Sequence, residues 1–76
     1  MNATTQTIIA QLPKKPLLSP ADIAAAYGLA TTNAIIADIK VGKLPANMIG
    51  GKYLISRSAA EAYIAANEYI ADEGTI

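Results

Sequence analysis

The sequence contains no cysteine, no histidine, no phenylalanine and no tryptophan. Without cysteine the chain forms no disulfide and presents no thiolate nucleophile. Without histidine it lacks the side chain that most often serves as a general base and as a metal ligand. These absences argue against an enzyme and against a metal centre, so we expect neither catalysis nor a cofactor.

Charged residues and long hydrophobic runs are also scarce. Charged side chains make up 16% of the chain, and no stretch is long and apolar enough to span a bilayer. The first thirteen residues contain no lysine or arginine, so no basic segment precedes an apolar one as in a signal peptide. We therefore expect a cytoplasmic protein with no membrane partner and no small-molecule substrate.

Small aliphatic residues dominate the composition. The chain has 16 alanines and 11 isoleucines, and 53% of its residues are hydrophobic, which is too many for a disordered tail. A length of 76 residues allows one small domain. Because burying an alanine removes little apolar surface from water, we expect a core of modest stability.

The charges cancel in total but not along the chain. Residues 1–57 hold all six bases and two acids, a net charge of +4, whereas residues 58–76 hold four acids and no base. A chain divided in this way can present a basic face to phosphate while its acidic end brings the total to zero. The charge distribution therefore keeps nucleic acid open as a partner.

The first 16 residues are predicted to form an arm that is flexible or partly docked. Polar residues dominate it, and Pro13 and Pro16 hold the Lys14-Lys15 pair extended. Such a pair is typical of a solvated linker, and a DNA-tracking arm is the alternative. Three apolar residues of the arm could dock on the body as a short strand or turn: Ile8, Ile9 and Leu12.

A first helix is predicted over residues 19–27. Ser19 is a natural N-cap, and Pro20 suits the first helical position because its missing N–H is not needed there. Asp22 adds negative charge to the first turn, where it favours the helix dipole. Gly28 is the expected left-handed stop.

A second helix follows after a tight corner. Thr31 or Thr32 can cap it, and Ile35 and Ile39, four residues apart, form its buried stripe. We expect it to end at Gly42. Two short helices joined by a tight turn that contains glycine make a helix-turn-helix candidate.

A β-hairpin is predicted next. Residues 46–49 and 52–55 are strand-like, and Gly50-Gly51 between them can take the positive φ values of a two-residue turn. A last helix follows, for which Ser58 and Glu61 have the spacing of a capping box. Its expected inner stripe is Ala59, Ala62, Tyr63, Ala66 and Ile70, and its expected end is Asp72-Glu73-Gly74.

Over residues 18–64 the order and spacing of these elements resemble the small MerR-like winged-helix domains, in particular the excisionase-type helix-turn-helix proteins. The residues that carry the resemblance are Leu18, Ser19, Ile23, Ala24, Tyr27, Gly28, Leu29, Ile35, Ile39, Gly42, Lys43, Leu44, Pro45, Ile49, Gly50, Lys52, Tyr53, Ile55, Ser58, Tyr63 and Ile64. The resemblance implies a small α+β fold, a winged helix-turn-helix with two short helices, a two-stranded β-hairpin wing and a C-terminal helix. This domain would cover residues 17–72, with a tail at 73–76.

The resemblance also implies a function, which is binding of double-stranded DNA without catalysis. Such proteins include phage and plasmid excisionases, which bend DNA and direct an integrase toward excision, and small transcriptional regulators of mobile elements. The implied partners are double-stranded DNA and either an integrase or recombinase or further copies of the chain. Excisionase and regulator both remain open.

In such domains the second helix lies in the major groove and the wing reaches the flanking backbone. The residues implied to contact DNA are Thr31, Thr32, Asn33, Ile36, Ala37, Lys40, Lys43, Gly50, Gly51, Lys52 and Arg57. The basic members could be ordinary solvated charges, but their expected position on one face favours phosphate contact.

The second helix leaves its mode of recognition open. Asn33 could read adenine, although asparagine in a first turn more often bonds only to the backbone. Because the helix has no arginine and Ile36 and Ala37 are apolar, we do not expect strong reading of guanine. The helix could read A·T-rich sequence through methyl contacts, or DNA shape. The alternative function is a protein-interaction module on a winged-helix scaffold, which binds a host or phage regulator through these apolar residues.

Overall fold

The computed structural model of the chain describes residues 1–69. Within them a small α+β fold is confirmed, with four helices and one antiparallel sheet of three short strands. The helices are α1 (Ala3–Ala10), α2 (Pro20–Tyr27), α3 (Asn33–Lys40) and α4 (Arg57–Ala66), and the strands are β1 (Leu17–Leu18), β2 (Asn47–Ile49) and β3 (Lys52–Ser56). None of these helices is long and apolar enough to cross a membrane.

Helix α2 begins and ends where its sequence signals predict. The Ser19 hydroxyl accepts from the Asp22 amide at 3.2 Å, and the Asp22 carboxylate accepts from the Ser19 amide at 3.0 Å. That amide, together with the nearby Lys15 ammonium, holds the pKa of the Asp22 carboxyl below its ordinary value. Gly28 ends the helix with φ +75°, a left-handed conformation that glycine adopts without steric cost.

Helix α3 begins at the predicted place with a weaker cap. Thr32 is the N-cap residue, but its side chain accepts no amide bond; the Thr31 hydroxyl accepts instead from the Asn33 amide at 3.4 Å. The helix ends at Lys40, two residues before the predicted stop. Ile35 is fully buried as expected, and Ile39 packs against the core from a half-buried position.

The predicted hairpin is confirmed, and one strand was missed. Gly50 and Gly51 have φ values of +56° and +77°, as a two-residue primed turn between β2 and β3 requires. On its other edge β3 pairs with β1, so the strand order is β1-β3-β2. β1 has only two residues, too few to show an alternating pattern, and it forms because β3 is available to pair with it.

The predicted strand or turn in the arm is wrong for Ile8 and Ile9, which lie in helix α1, whereas Leu12 lies in the bend that follows this helix. Asn2 caps it by accepting from the Thr5 amide at 2.8 Å. The expected docking does occur, since Leu12 is buried and Ile8 and Ile9 pack against the core. Threonine-rich sequence is a poor helix former, so packing against α2 and α4 is what stabilises this helix.

The predicted cap of the last helix is also wrong. Ser56 is the N-cap of α4, and its hydroxyl accepts from the Ala59 amide at 3.1 Å. Ser58 therefore lies inside the first turn, and Glu61 forms an ion pair with Arg57 instead of closing a capping box.

The buried face of α4 differs from the predicted stripe, and the helix is shorter. Ala60, Tyr63 and Ile64 are buried, whereas Ala62 and Ala66 are exposed. Of the predicted stripe, Tyr63 is buried and Ala59 packs against the core from a half-buried position. The buried face is therefore rotated by about one residue from the predicted one. The helix ends at Ala66, well before the predicted end. The remaining predictions for this region concern Ile70, Asp72, Glu73, Gly74 and the tail at 73–76, which lie outside the described residues.

The core lies where α2, α3, α4 and the sheet meet. Its six fully buried large side chains, each under 2% exposed, are Leu18, Ile23, Ile35, Leu44, Ile55 and Ile64. Each contributes about 1.5–3 kcal/mol when transferred from water to the interior. This core fixes α3 and the hairpin as neighbours and leaves one face of each exposed.

Candidate nucleic-acid interface

One face of α3 is exposed and carries most of the predicted contact residues. Asn33, Ala37 and Lys40 are exposed and lie on one side of the helix, and Ile36 beside them is half-buried. Thr31 and Thr32 precede this face at the start of the helix. Because the exposed side chains are short apart from Lys40, another surface can approach the helix backbone closely.

A groove separates the start of α3 from the hairpin, and the start of α2 forms its third wall. It brings together four of the predicted residues: Thr32, Ile36, Gly51 and Lys52. Its other lining residues are Ser19, Pro20, Ala21, Tyr53 and Leu54. The groove therefore combines an apolar floor with a lysine and a threonine hydroxyl, which suits a ligand that has both flat apolar surfaces and anionic groups.

The tip of the hairpin is open. A side chain added at Gly50 or Gly51 would meet no atom within 4 Å, so the positive φ values alone account for the glycines. Lys52 follows the turn and is exposed. β2 is an edge strand in which all three residues are exposed, Ile49 at 67% among them.

Asp38, the one acid of α3, is turned away from the exposed face. Its carboxylate accepts a hydrogen bond of 2.5 Å from the Tyr63 hydroxyl on α4. Burial, and then the Asp38 carboxylate, raise the pKa of the Tyr63 hydroxyl far above its ordinary value. The Tyr63 ring in turn packs edge to face against Tyr27, with 6.4 Å between ring centroids. Asp38 therefore ties α3 to the core, and its carboxylate points toward α4 and not into the exposed face.

The other described acids also have partners. Within residues 1–69 the pairs are Asp22 with Ser19 and Lys15, Asp38 with Tyr63, Glu61 with Arg57, and Glu68 with Asn2 and Thr5. By contrast, Lys40, Lys43 and Lys52 are exposed and form no salt bridge with any described residue. The Lys43 amide donates to the Asp38 carbonyl at 2.9 Å, which keeps this residue close to the end of α3. The three lysines around α3 and the hairpin are thus uncompensated.

Arg57 does not share the α3–hairpin groove with the other predicted basic residues. Its guanidinium donates to the Pro13 carbonyl at 2.5 Å and forms an ion pair with Glu61 at 3.1 Å. It lines a separate concavity with Lys14, Lys15 and Pro16. From the sequence these two lysines are expected to belong to a solvated linker, with a DNA-tracking arm as the alternative. The two prolines that flank these lysines indicate a rigid segment, because proline fixes its own φ angle and restricts the residue before it.

The arrangement offers hydrogen bonding and electrostatic attraction. Among residues 1–69, no group of three or more carboxylates lies close enough together to hold a metal ion. Comparison of the chain with protein-family models, with curated proteins and with solved structures finds no match.

Proposed function

We propose that this chain is a winged helix-turn-helix protein that binds double-stranded DNA through α3 and the β2–β3 hairpin, without catalysis. The observation that carries the proposal is the distribution of charge around α3. Three unpaired lysines lie on and beside α3 and the hairpin, while the acid of α3 is bonded to the core. A surface with uncompensated lysines and no opposing acid suits the phosphate backbone.

The dimensions of α3 fit the major groove. An α-helix with its side chains is about 10–12 Å in diameter, and the major groove, about 12 Å wide, admits one. The eight residues of α3 make it about 12 Å long. Asn33 can present its amide to an adenine edge, and Ala37 is small enough for contact with a thymine methyl group. This face contains no arginine, so the proposal is one of modest sequence preference, supported by DNA shape.

Phosphate contacts would set most of the affinity. With Lys40, Lys43 and Lys52 each neutralising one phosphate, the logarithm of the binding constant should fall with the logarithm of salt concentration with a slope of about −2.7. Three contacts give weak binding for one copy. We therefore propose an accessory role on a mobile element, as an excisionase or small transcriptional regulator, in which occupancy depends on neighbouring copies or on an integrase or recombinase.

The exposed apolar residues favour a second candidate function, a protein-interaction module on the same scaffold. Val41 at the end of α3 is 68% exposed, and Met48 and Ile49 on β2 are 59% and 67% exposed. Such side chains suit the contact surface of a host or phage regulator. A partner of this kind would bind with little dependence on salt, in contrast to DNA.

Fluorescence anisotropy of labelled duplex DNA at several salt concentrations tests the proposal. Each of Lys40→Ala, Lys43→Ala and Lys52→Ala should make the slope shallower by about 0.9. Gln6→Glu is the matched control, because it lowers the net charge by the same amount on the exposed side of α1. A triple lysine variant with the slope of the wild type would refute DNA binding at this face, and no binding at low salt would favour a protein partner.

A further inference from the structure

A dibasic turn between α1 and β1 is held in place by one residue of α4. The Arg57 amide donates to the Pro16 carbonyl at 3.0 Å, and the Arg57 guanidinium donates to the Pro13 carbonyl at 2.5 Å. Arg57 therefore bonds to both ends of the segment that contains Lys14 and Lys15. Its ion pair with Glu61, one helical turn further on, fixes the guanidinium itself.

The segment is also restricted from within. The Lys15 amide donates to the Pro13 carbonyl at 3.0 Å, which closes a three-residue turn with Lys14 at its apex. The two prolines fix their own φ angles and restrict the residue before each of them. The buried Leu12 precedes the turn and β1 follows it, so both ends are anchored. A segment ordered in this way loses little conformational entropy when it binds a ligand.

The turn presents positive charge to solvent. Lys14 and Lys15 are both exposed, and Lys14 forms no salt bridge with any residue from 1 to 69. Lys15 pairs with Asp22 at 3.2 Å, yet its side chain is 54% exposed. Together with Pro16 and Arg57 the two lysines line a shallow concavity. The three bases of this concavity exceed the two acids that pair with them, Asp22 and Glu61.

The concavity and the α3–hairpin groove share no lining residue, but both adjoin the start of α2. Asp22, the partner of Lys15, lies in the first turn of α2, and the preceding residues Ser19, Pro20 and Ala21 line the groove. The two basic surfaces thus flank the same helix end.

We propose that Lys14 and Lys15 contact phosphodiester groups of duplex DNA and form a second backbone contact, which Arg57 positions. This inference rests on the proposed DNA-binding function and extends the contact surface to the dibasic turn. Arg57 acts here through the two carbonyls that it fixes. Lys14 carries most of the new contact, because Lys15 shares its charge with Asp22.

The test is the salt dependence of binding to one duplex, long enough to pass both surfaces. With Lys14 as a fourth phosphate contact beside Lys40, Lys43 and Lys52, the wild-type slope becomes about −3.6 instead of about −2.7. Lys14→Ala should make it shallower by about 0.9 and weaken binding at low salt, while Gln6→Glu, with the same change in net charge, should leave the slope unchanged. A Lys14→Ala slope equal to that of the wild type overturns the inference. If the Lys40, Lys43 and Lys52 variants do change the slope in that case, the proposed function stands without it.

The positioning role of Arg57 has its own readout. Arg57→Lys keeps the charge but cannot hold the Pro13 carbonyl and Glu61 with one planar group. It should make the slope shallower, and adding Lys14→Ala should then change the slope less than it does in the wild type. Full additivity of the two substitutions would overturn the positioning role, with folding of each variant checked by circular dichroism.

A measurement on the wild-type chain tests the turn without any substitution. The Lys15 amide should be protected from hydrogen exchange, because it is bonded to the Pro13 carbonyl. Exchange of this amide at the rate of an unstructured peptide would overturn the fixed turn on which the inference depends.

Discussion

The hydrogen bond between Tyr63 and Asp38 makes a quantitative prediction about how α3 is held. Tyr63→Phe removes one oxygen and keeps the ring, so the edge-to-face contact with Tyr27 is preserved. A hydrogen bond to a charged acceptor is worth about 1.5–3 kcal/mol. Because Asp38 is only half-buried and regains water when its donor is lost, we expect the lower end, about 1.5 kcal/mol.

Thermal unfolding followed by circular dichroism measures this loss. For a domain of this size, about 1.5 kcal/mol corresponds to a decrease in Tm of about 6–12 °C. In an Asp38→Ala background the same Tyr63→Phe substitution should cost almost nothing, because its partner is already absent. An equal cost in both backgrounds would refute the interaction, since the loss would then come from packing of the hydroxyl alone.

The same pair predicts a pH dependence. The pKa of Tyr63 in the folded state is raised above its ordinary value of 10.0, first by burial and then by Asp38. The stability that depends on the protonated hydroxyl is therefore fully present below about pH 10 and is lost as the pH rises further. The wild type should lose stability more steeply than Tyr63→Phe above this pH. The smaller loss in the variant comes from Tyr27, whose pKa burial also raises.

Two further predictions concern the ends of the chain's helices. Ser56→Ala should lower the free energy of unfolding by about 1 kcal/mol, whereas Ser58→Ala should change it little, because only Ser56 caps α4. Urea denaturation measures both values, and equal effects of the two substitutions would contradict this assignment. Hydrogen bonds from the Thr5 hydroxyl and then from the Asn2 amide lower the pKa of Glu68. The stability that this carboxylate gives to the docked α1 should therefore be fully present above the ordinary pKa of a glutamate. It should be lost as the pH falls through the lowered pKa of the folded state. Hydrogen exchange of the α1 amides measures this loss, and Glu68→Gln should remove most of its pH dependence.

The elements that sequence predicted well are those with strong local signals. Ser19, Pro20 and Gly28 define both ends of α2 within ten residues, and Gly50-Gly51 defines the hairpin. The start of α4 was not decidable locally, because Ser56 and Ser58 are both good caps. Ser56 becomes the cap because β3 pairs with β1 as far as this residue and the chain turns there.

In the candidate site, too, features that depend on neighbouring residues could be predicted from the sequence, whereas contacts between residues far apart in the sequence could not. Helical spacing alone places Asn33, Ala37 and Lys40 on one face, and the structure agrees. The position of Arg57 depends on the Pro13 carbonyl, 44 residues away in sequence, so no local pattern could reveal it. The docking of α1 depends in the same way on Glu68, whose carboxylate reaches back to Asn2 and Thr5.

The most direct test of the proposed function is a titration of isotope-labelled protein with duplex DNA at low salt, followed by NMR through the backbone amides. We predict that shifts concentrate at residues 31–43 and 50–53, that the second contact adds shifts at residues 14 and 15, and that the α1 amides of Ala3–Ala10 change little. Shifts absent at every duplex concentration, or confined to α1 and α4, would contradict DNA binding through α3 and the hairpin.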